Sequence, residues 1–167
     1  GRARRVALTV DDVPRNGTRL QDVCKLMTLL KQHNATATFF FVWRGARSRA
    51  AADPCTIIQL LCKHGHEVGV HFSGRWGCCM SDSELCSQVI ETVLNLERIT
   101  GVRPRYVRMP GGFSRRSSVD RLRSLRLTAV NGTAYPFDVD LCASLDAATL
   151  GRAAADLGAR GGRIAIL

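Results

Sequence analysis

The sequence predicts an α/β fold built on a parallel sheet. Three observations carry that expectation: strand-like and helix-like segments alternate along the chain, the connections between them are short, and polar residues suited to chemistry fall just after strand-like runs. Parallel neighbours need a crossover, usually a helix, and the alternation supplies one each time. The sheet is either open or closed into a barrel. In both architectures functional residues gather at the carboxyl ends of the strands.

Val6, Leu8 and Val10, with Ala7 and Thr9 between them, predict a buried first strand that stops on Asp11 and Asp12. Two adjacent carboxylates repel each other and resist desolvation, so at a strand end they call for a cation or hydrogen-bond donors. A solvated turn is the plain alternative, because Asp and the following Pro14 are both common turn residues. Leu20, Val23, Leu26, Met27 and Leu30 recur at helical spacing up to His33. Ala35–Val42, ATATFFFV, is rich in β-branched and aromatic residues and predicts the second strand, with Trp43–Ala52 a polar, Arg-containing loop.

Asp53 caps the next helix, Pro54 takes its first position, and Ile57, Ile58, Leu60 and Leu61 carry it to Gly65. Glu67–His71 is a short third strand ending on a histidine, and Phe72–Met80 a loop. Ser81–Glu84, SDSE, is a capping box opening a long helix through Leu85, Val89, Val93, Leu96 and Ile99 to Gly101. Tyr106–Arg108 is a fourth strand, followed by the turn Met109-Pro110-Gly111-Gly112. Ser117–Leu125 is a helix, Leu127–Asn131 a fifth strand, Asp146–Leu157 a helix and Arg163–Leu167 a sixth strand.

The 167 residues, 46% hydrophobic and 23% charged, suit one globular domain over 1–167, with no apolar run near the roughly 20 residues of a membrane span. The chain opens one step before its first strand and stops inside an apolar strand pattern, so it is expected to be a slice of a longer protein. A net charge of +10 favours anionic partners in general. The basic residues are spread from Arg2 to Arg163, and the densest set lacks interleaved aromatics, which argues against specific nucleic-acid binding. Seven cysteines without a CxxC pair argue against a zinc knuckle or a thioredoxin-like site. Sequons at Asn16, Asn34 and Asn131 suit a secreted or cell-surface glycoprotein.

The candidates at strand ends are Asp11, Asp12, His71 and Arg108, with Tyr135 and Asp138 after the fifth strand. Asp and His both bind zinc and similar divalent metals, and a catalytic site commonly uses three protein ligands. One carboxylate of a pair can bind metal while the other takes a proton from water, and a neighbouring arginine would keep that base ionised and oriented.

These residues resemble a family. TVDDVP is similar to the T-F-D-D-G-P motif of the polysaccharide deacetylase (NodB-homology) family, GHEVGVH at Gly65–His71 to its G-H-E-I-G-N-H, and RPRYVRMPGG at Arg103–Gly112 to its R-P-x-x-F-R-P-P-Y-G. ATATFFFV resembles the family's second strand, and YPFD at Tyr135–Asp138 resembles the Y-P-H-D of a divergent branch. The resemblance implies a distorted (β/α) barrel that hydrolyses an N-acetyl amide, or an O-acetyl ester, on an N-acetylated polysaccharide or glycoconjugate with a divalent metal such as zinc. It implies that Asp11 is the base, that Asp12 and His71 are metal ligands, that Arg108 orients the base, and that Pro110 and Gly111 face substrate.

The chain also departs from the family pattern. Where the family's H-[ST]-x-x-H segment has its third ligand, HFSGR has Arg75, which stays protonated and cannot ligate. Gly111 replaces an aromatic, and an L-L-H-D-type motif, which carries the family's general acid, is not found before Leu167. Asp138 is either a substitute ligand or a loop carboxylate, and Cys78 and Cys79 are either rescue ligands or structural thiols. The alternative reading is a degenerate member that keeps the barrel and binds glycan without catalysis. Within the same motif His66 is expected to be structural, pointing away from His71's partners by strand alternation, while His33 and His64 sit at helix ends.

Overall fold

The computed structural model describes residues 6–13, 18–43, 53–72, 80–109, 115–131 and 163–166. Six strands, β1 (Val6–Val13), β2 (Ala37–Val42), β3 (Glu67–His71), β4 (Tyr106–Arg108), β5 (Thr128–Ala129) and β6 (Arg163–Ile166), form one sheet in the order β5-β4-β3-β2-β1-β6. Every pairing is parallel. β1 to β5 follow one another across the sheet in chain order, and β6 pairs with the other edge of β1. This is the winding of a (β/α) barrel, the fold class expected from the sequence.

Four described helices connect the strands: α1 (Leu20–Gln32), α2 (Pro54–Lys63), α3 (Asp82–Thr100) and α4 (Arg116–Ser124). Their starts and stops are local chemistry. The Asp53 carboxylate accepts from the Thr56 amide, and Ser81 and Glu84 close a reciprocal capping box. Gly101 ends α3 at φ 72°, a left-handed cap that costs glycine nothing.

The two faces of the sheet differ. Leu8 and Val10, Phe39 and Phe41, Val68 and Val70, and Val107 pack with the helices in one apolar core. Ile57, Ile58 and Leu61 of α2 are fully enclosed there, each contributing roughly 1.5–3 kcal/mol by burial. The alternate positions, Thr9, Phe40, Gly69 and Arg108, turn to the inner face, which holds the polar groups.

Several boundaries correct the sequence expectation. β1 does not stop at the carboxylate pair but runs through both to Val13. Trp43, just past the end of β2, is helical and buried in the core, and so does not open a polar loop. β5 pairs only over Thr128–Ala129, as its partner β4 is itself three residues long. Arg75, Cys78, Cys79, Pro110, Gly111, Tyr135, Asp138 and the helix expected over 146–157 lie outside the described residues.

Candidate active site at the carboxyl rim

The register explains how neighbouring carboxylates come to share one side. Val10 stands opposite Phe39 and Val13 opposite Phe41, so β1 carries one residue more than β2 across this stretch. The extra residue is a bulge, and Asp12 within it has φ 56°, left-handed backbone that an ordinary residue adopts only where its surroundings impose it. A regular strand would send Asp11 and Asp12 to opposite faces. The bulge re-aims Asp12, and both carboxylates meet the same histidine: His71 Nε2 lies 3.5 Å from Asp12 Oδ1 and 4.0 Å from Asp11 Oδ2.

His71 ends β3 opposite Arg108, which ends β4. Its Nδ1 lies 2.8 Å from the Arg108 carbonyl oxygen. A carbonyl only accepts, so Nδ1 carries a proton and Nε2 is the nitrogen turned to the carboxylates. Metal-binding histidines are oriented in just this manner, with the far ring nitrogen donating to a carbonyl or carboxylate.

Arg108 is 1% exposed and is held from several sides. Its Nη1 donates to Asp11 Oδ1 at 2.6 Å and to Thr9 Oγ1 at 2.8 Å. Its Nε donates to the Val130 carbonyl at 3.2 Å, and the guanidinium carbon lies 4.3 Å from the centroid of the Phe40 ring. The buried guanidinium and the part-buried Asp11 form a short, charge-assisted pair that fixes the direction of the carboxylate. Nη2 is buried with no partner among the described residues. Sequence reasoning missed Thr9, Phe40 and Val130 in this arrangement. Thr9 had a local signal, because it stands two positions before Asp11 and therefore shares its face.

In donor chemistry, Asp12 and His71 fit a divalent cation: lone pairs of a carboxylate and an imidazole face one another across 3.5 Å. Among the described residues, however, no group of three His, Cys, Asp or Glu side chains is arranged to hold a metal ion.

Two other features lie away from the rim. His66 precedes β3, is buried, and accepts from the Ala37 amide through Nδ1 at 3.3 Å, with its ring edge-on to Phe39. Burial, and secondarily the nearby His64, lowers its pKa below the ordinary histidine value. A cleft of about 620 Å³ opens at this amino end, with His66, Glu67, Arg103 and Arg105 in its lining, and its arginines are already paired, Arg105 with Glu67 at 2.8 Å and Arg103 with Glu97 at 3.2 Å.

A singly wound parallel α/β sheet with an acid-and-histidine cluster at its carboxyl rim defines a (β/α)-barrel protein with a candidate site at the rim where that fold places one. More particularly, a sequence model of the polysaccharide deacetylase family matches residues 1–130, and the chain belongs to that family. It is 33% identical over 64% of its length to a peptidoglycan-N-acetylglucosamine deacetylase of Bacillus cereus. It is 37% identical over 71% of its length to a peptidoglycan-N-acetylmuramic acid deacetylase of Bacillus subtilis. The chain spans only 36% and 23% of those two relatives. Among solved structures it superposes with a TM-score of 0.81 on a CE4 family pseudoenzyme of Bacillus anthracis, at 19% identity, covering 99% of this chain and 55% of that one. No described helix is long and apolar enough to cross a membrane.

Proposed function

We propose that this domain hydrolyses acetyl groups from an N-acetylated carbohydrate polymer, with Asp11 as general base, Asp12 and His71 as metal ligands, and zinc or a similar divalent ion as cofactor. The single observation that carries the reading is the division of labour at the rim. Asp11 is bound to a buried arginine at 2.6 Å, whereas Asp12 has the shorter approach to His71 Nε2, at 3.5 Å against 4.0 Å for Asp11. The two peptidoglycan deacetylases in the family support the substrate class.

When bound, the metal supplies Lewis-acid polarisation of the acetyl carbonyl and makes a nearby water more acidic. Asp11 takes the proton of the attacking water on the oxygen not held by Arg108. Arg108 fixes the direction of that carboxylate. The Arg108 carbonyl holds the His71 ring with Nε2 outward, so one residue orients both the base and a ligand.

A second reading, a non-catalytic glycan-binding member, is favoured by Arg75 standing where the family has a third ligand, and a pseudoenzyme occurs among the structural neighbours. Calorimetric titration with zinc, alongside acetate release from an N-acetylglucosamine oligomer, separates the two. The deacetylase reading expects metal binding that vanishes in Asp12→Ala and tightens in Arg75→His, which removes a positive charge and adds a ligand. Absence of metal binding in both the parent and Arg75→His would make the glycan-binding reading the better one.

A further inference from the structure

Phe40 stands apart from its neighbours in β2. Phe39 and Phe41 turn to the helices and are explained by the apolar core, but Phe40, equally buried at 1% exposure, lies on the inner face outside that core. Its ring extends from β2 past β3 to β4, where the Arg108 guanidinium carbon lies 4.3 Å from its centroid. The strand it passes has no side chain at the crossing, because Gly69 pairs with Phe40 in register.

A Cβ built on Gly69 would lie 2.7 Å and 2.8 Å from two carbons of the Phe40 ring and 3.1 Å from the Tyr106 carbonyl oxygen. Gly69 is not among the residues with positive φ, so space and not backbone conformation calls for glycine here. The guanidinium set over the ring reaches across to β1 and binds Thr9 and Asp11 through the same Nη1. Contact by contact, the height of the ring above β3 sets the height of the guanidinium, and the guanidinium sets the carboxylate.

We propose that Phe40 and Gly69 are positioning residues for Asp11, acting through Arg108. The inference rests on the deacetylase reading for its kinetic consequence, but not for the stacked arrangement itself. Phe40→Leu keeps an apolar side chain and removes the aromatic face. Gly69→Ala drives the ring off its seat. The double variant removes the closest clash, since leucine has no Cε atom and its Cδ atoms can turn aside, yet leaves Arg108 without its support.

The test measures three quantities on the three variants and the parent: the urea midpoint, kcat and KM for acetate release from an N-acetylglucosamine oligomer, and the NMR shift of the Arg108 Nε proton. In the parent that proton is expected to be shielded by the ring current, and Phe40→Leu should move it downfield. A displaced base lowers kcat by roughly 10- to 100-fold with KM little changed. Gly69→Ala should lose both stability and kcat. The double variant should regain part of the urea midpoint lost in Gly69→Ala and none of its kcat, which a merely structural role cannot produce. If kcat returns with stability in the double variant, or survives in Phe40→Leu while the proton shifts, the positioning role is overturned. A parent that releases no acetate but shows the shielded proton overturns the deacetylase reading, and with it the kinetic claim. An unshielded proton in the parent overturns the stack directly.

Discussion

The two ends of β3 each carry a buried histidine from the same seven-residue stretch, Gly65–His71, and they meet opposite backbone groups. At the carboxyl end His71 Nδ1 approaches a carbonyl, so it carries a proton and leaves Nε2 to face two carboxylates. At the amino end His66 Nδ1 accepts from the Ala37 amide, so the proton of the neutral ring sits on Nε2, and the ring is packed against Phe39. Burial barely distinguishes them, at 8% and 7% exposed. The backbone partner of each fixes the ring form, and the form together with the neighbours sets them apart: an outward Nε2 facing carboxylates above, a structural acceptor below.

The largest effect that could break this contrast is at the rim. Asp11→Asn should lower kcat for acetate release by roughly 100- to 10,000-fold, the range of a lost general base, while leaving the far-ultraviolet circular dichroism unchanged. A variant that keeps most of its activity would remove Asp11 from the chemistry. Next comes the crossed pair of histidines. His71→Ala should weaken zinc binding by at least about 100-fold in calorimetry, as loss of a direct ligand must exceed loss of its supporting partner. His66→Ala should instead leave zinc binding intact and cost about 2–4 kcal/mol in urea unfolding, through an orphaned Ala37 amide and a cavity against Phe39. Interchanged outcomes would reverse the assignment of the two ends.

A smaller effect sharpens the same comparison through pH. His66 has its pKa lowered on folding, by burial first and the His64 charge second, so near and below the ordinary value of about 6.5 the unfolded chain binds the extra proton more readily. The stability contribution is complete above that value and is lost as pH falls through the lowered one. Urea midpoints of parent and His66→Ala measured from pH 7.5 downward should therefore converge on acidification. Smallest of all, Arg105→Ala at the amino end breaks an exposed pair with Glu67 and should leave the midpoint unchanged.

Legibility in the sequence followed how local each cause is. EVGVH was readable as β3 because alternation and length act within five residues, and the start of α3 was readable because Ser81 and Glu84 satisfy each other's backbone. The end of β1 was not, because alternation fails at the bulge, and nothing in TVDD announces that Asp12 will adopt a left-handed φ. The strand ends brought Asp11, Asp12, His71 and Arg108 forward together, and the resemblance gave each an implied role. Thr9, Phe40 and Val130 stayed hidden because their relation to Arg108 spans 99, 68 and 22 positions, distances that only the winding of the sheet brings to contact.

The seat of β6 on the far side of β1 has a consequence for synthesis. Of the described strands β1 emerges from the ribosome first and can pair with β2 within a few dozen residues, but its other edge waits for Arg163–Ile166. At a translation rate of roughly 5–20 residues per second that interval is on the order of ten to thirty seconds. During it the strand bearing both acids has one neighbour and one open row of amides and carbonyls, a template for another chain as much as for its own. Mispairing of the rim strand is therefore a hazard of synthesis, confined to the interval before β6 arrives.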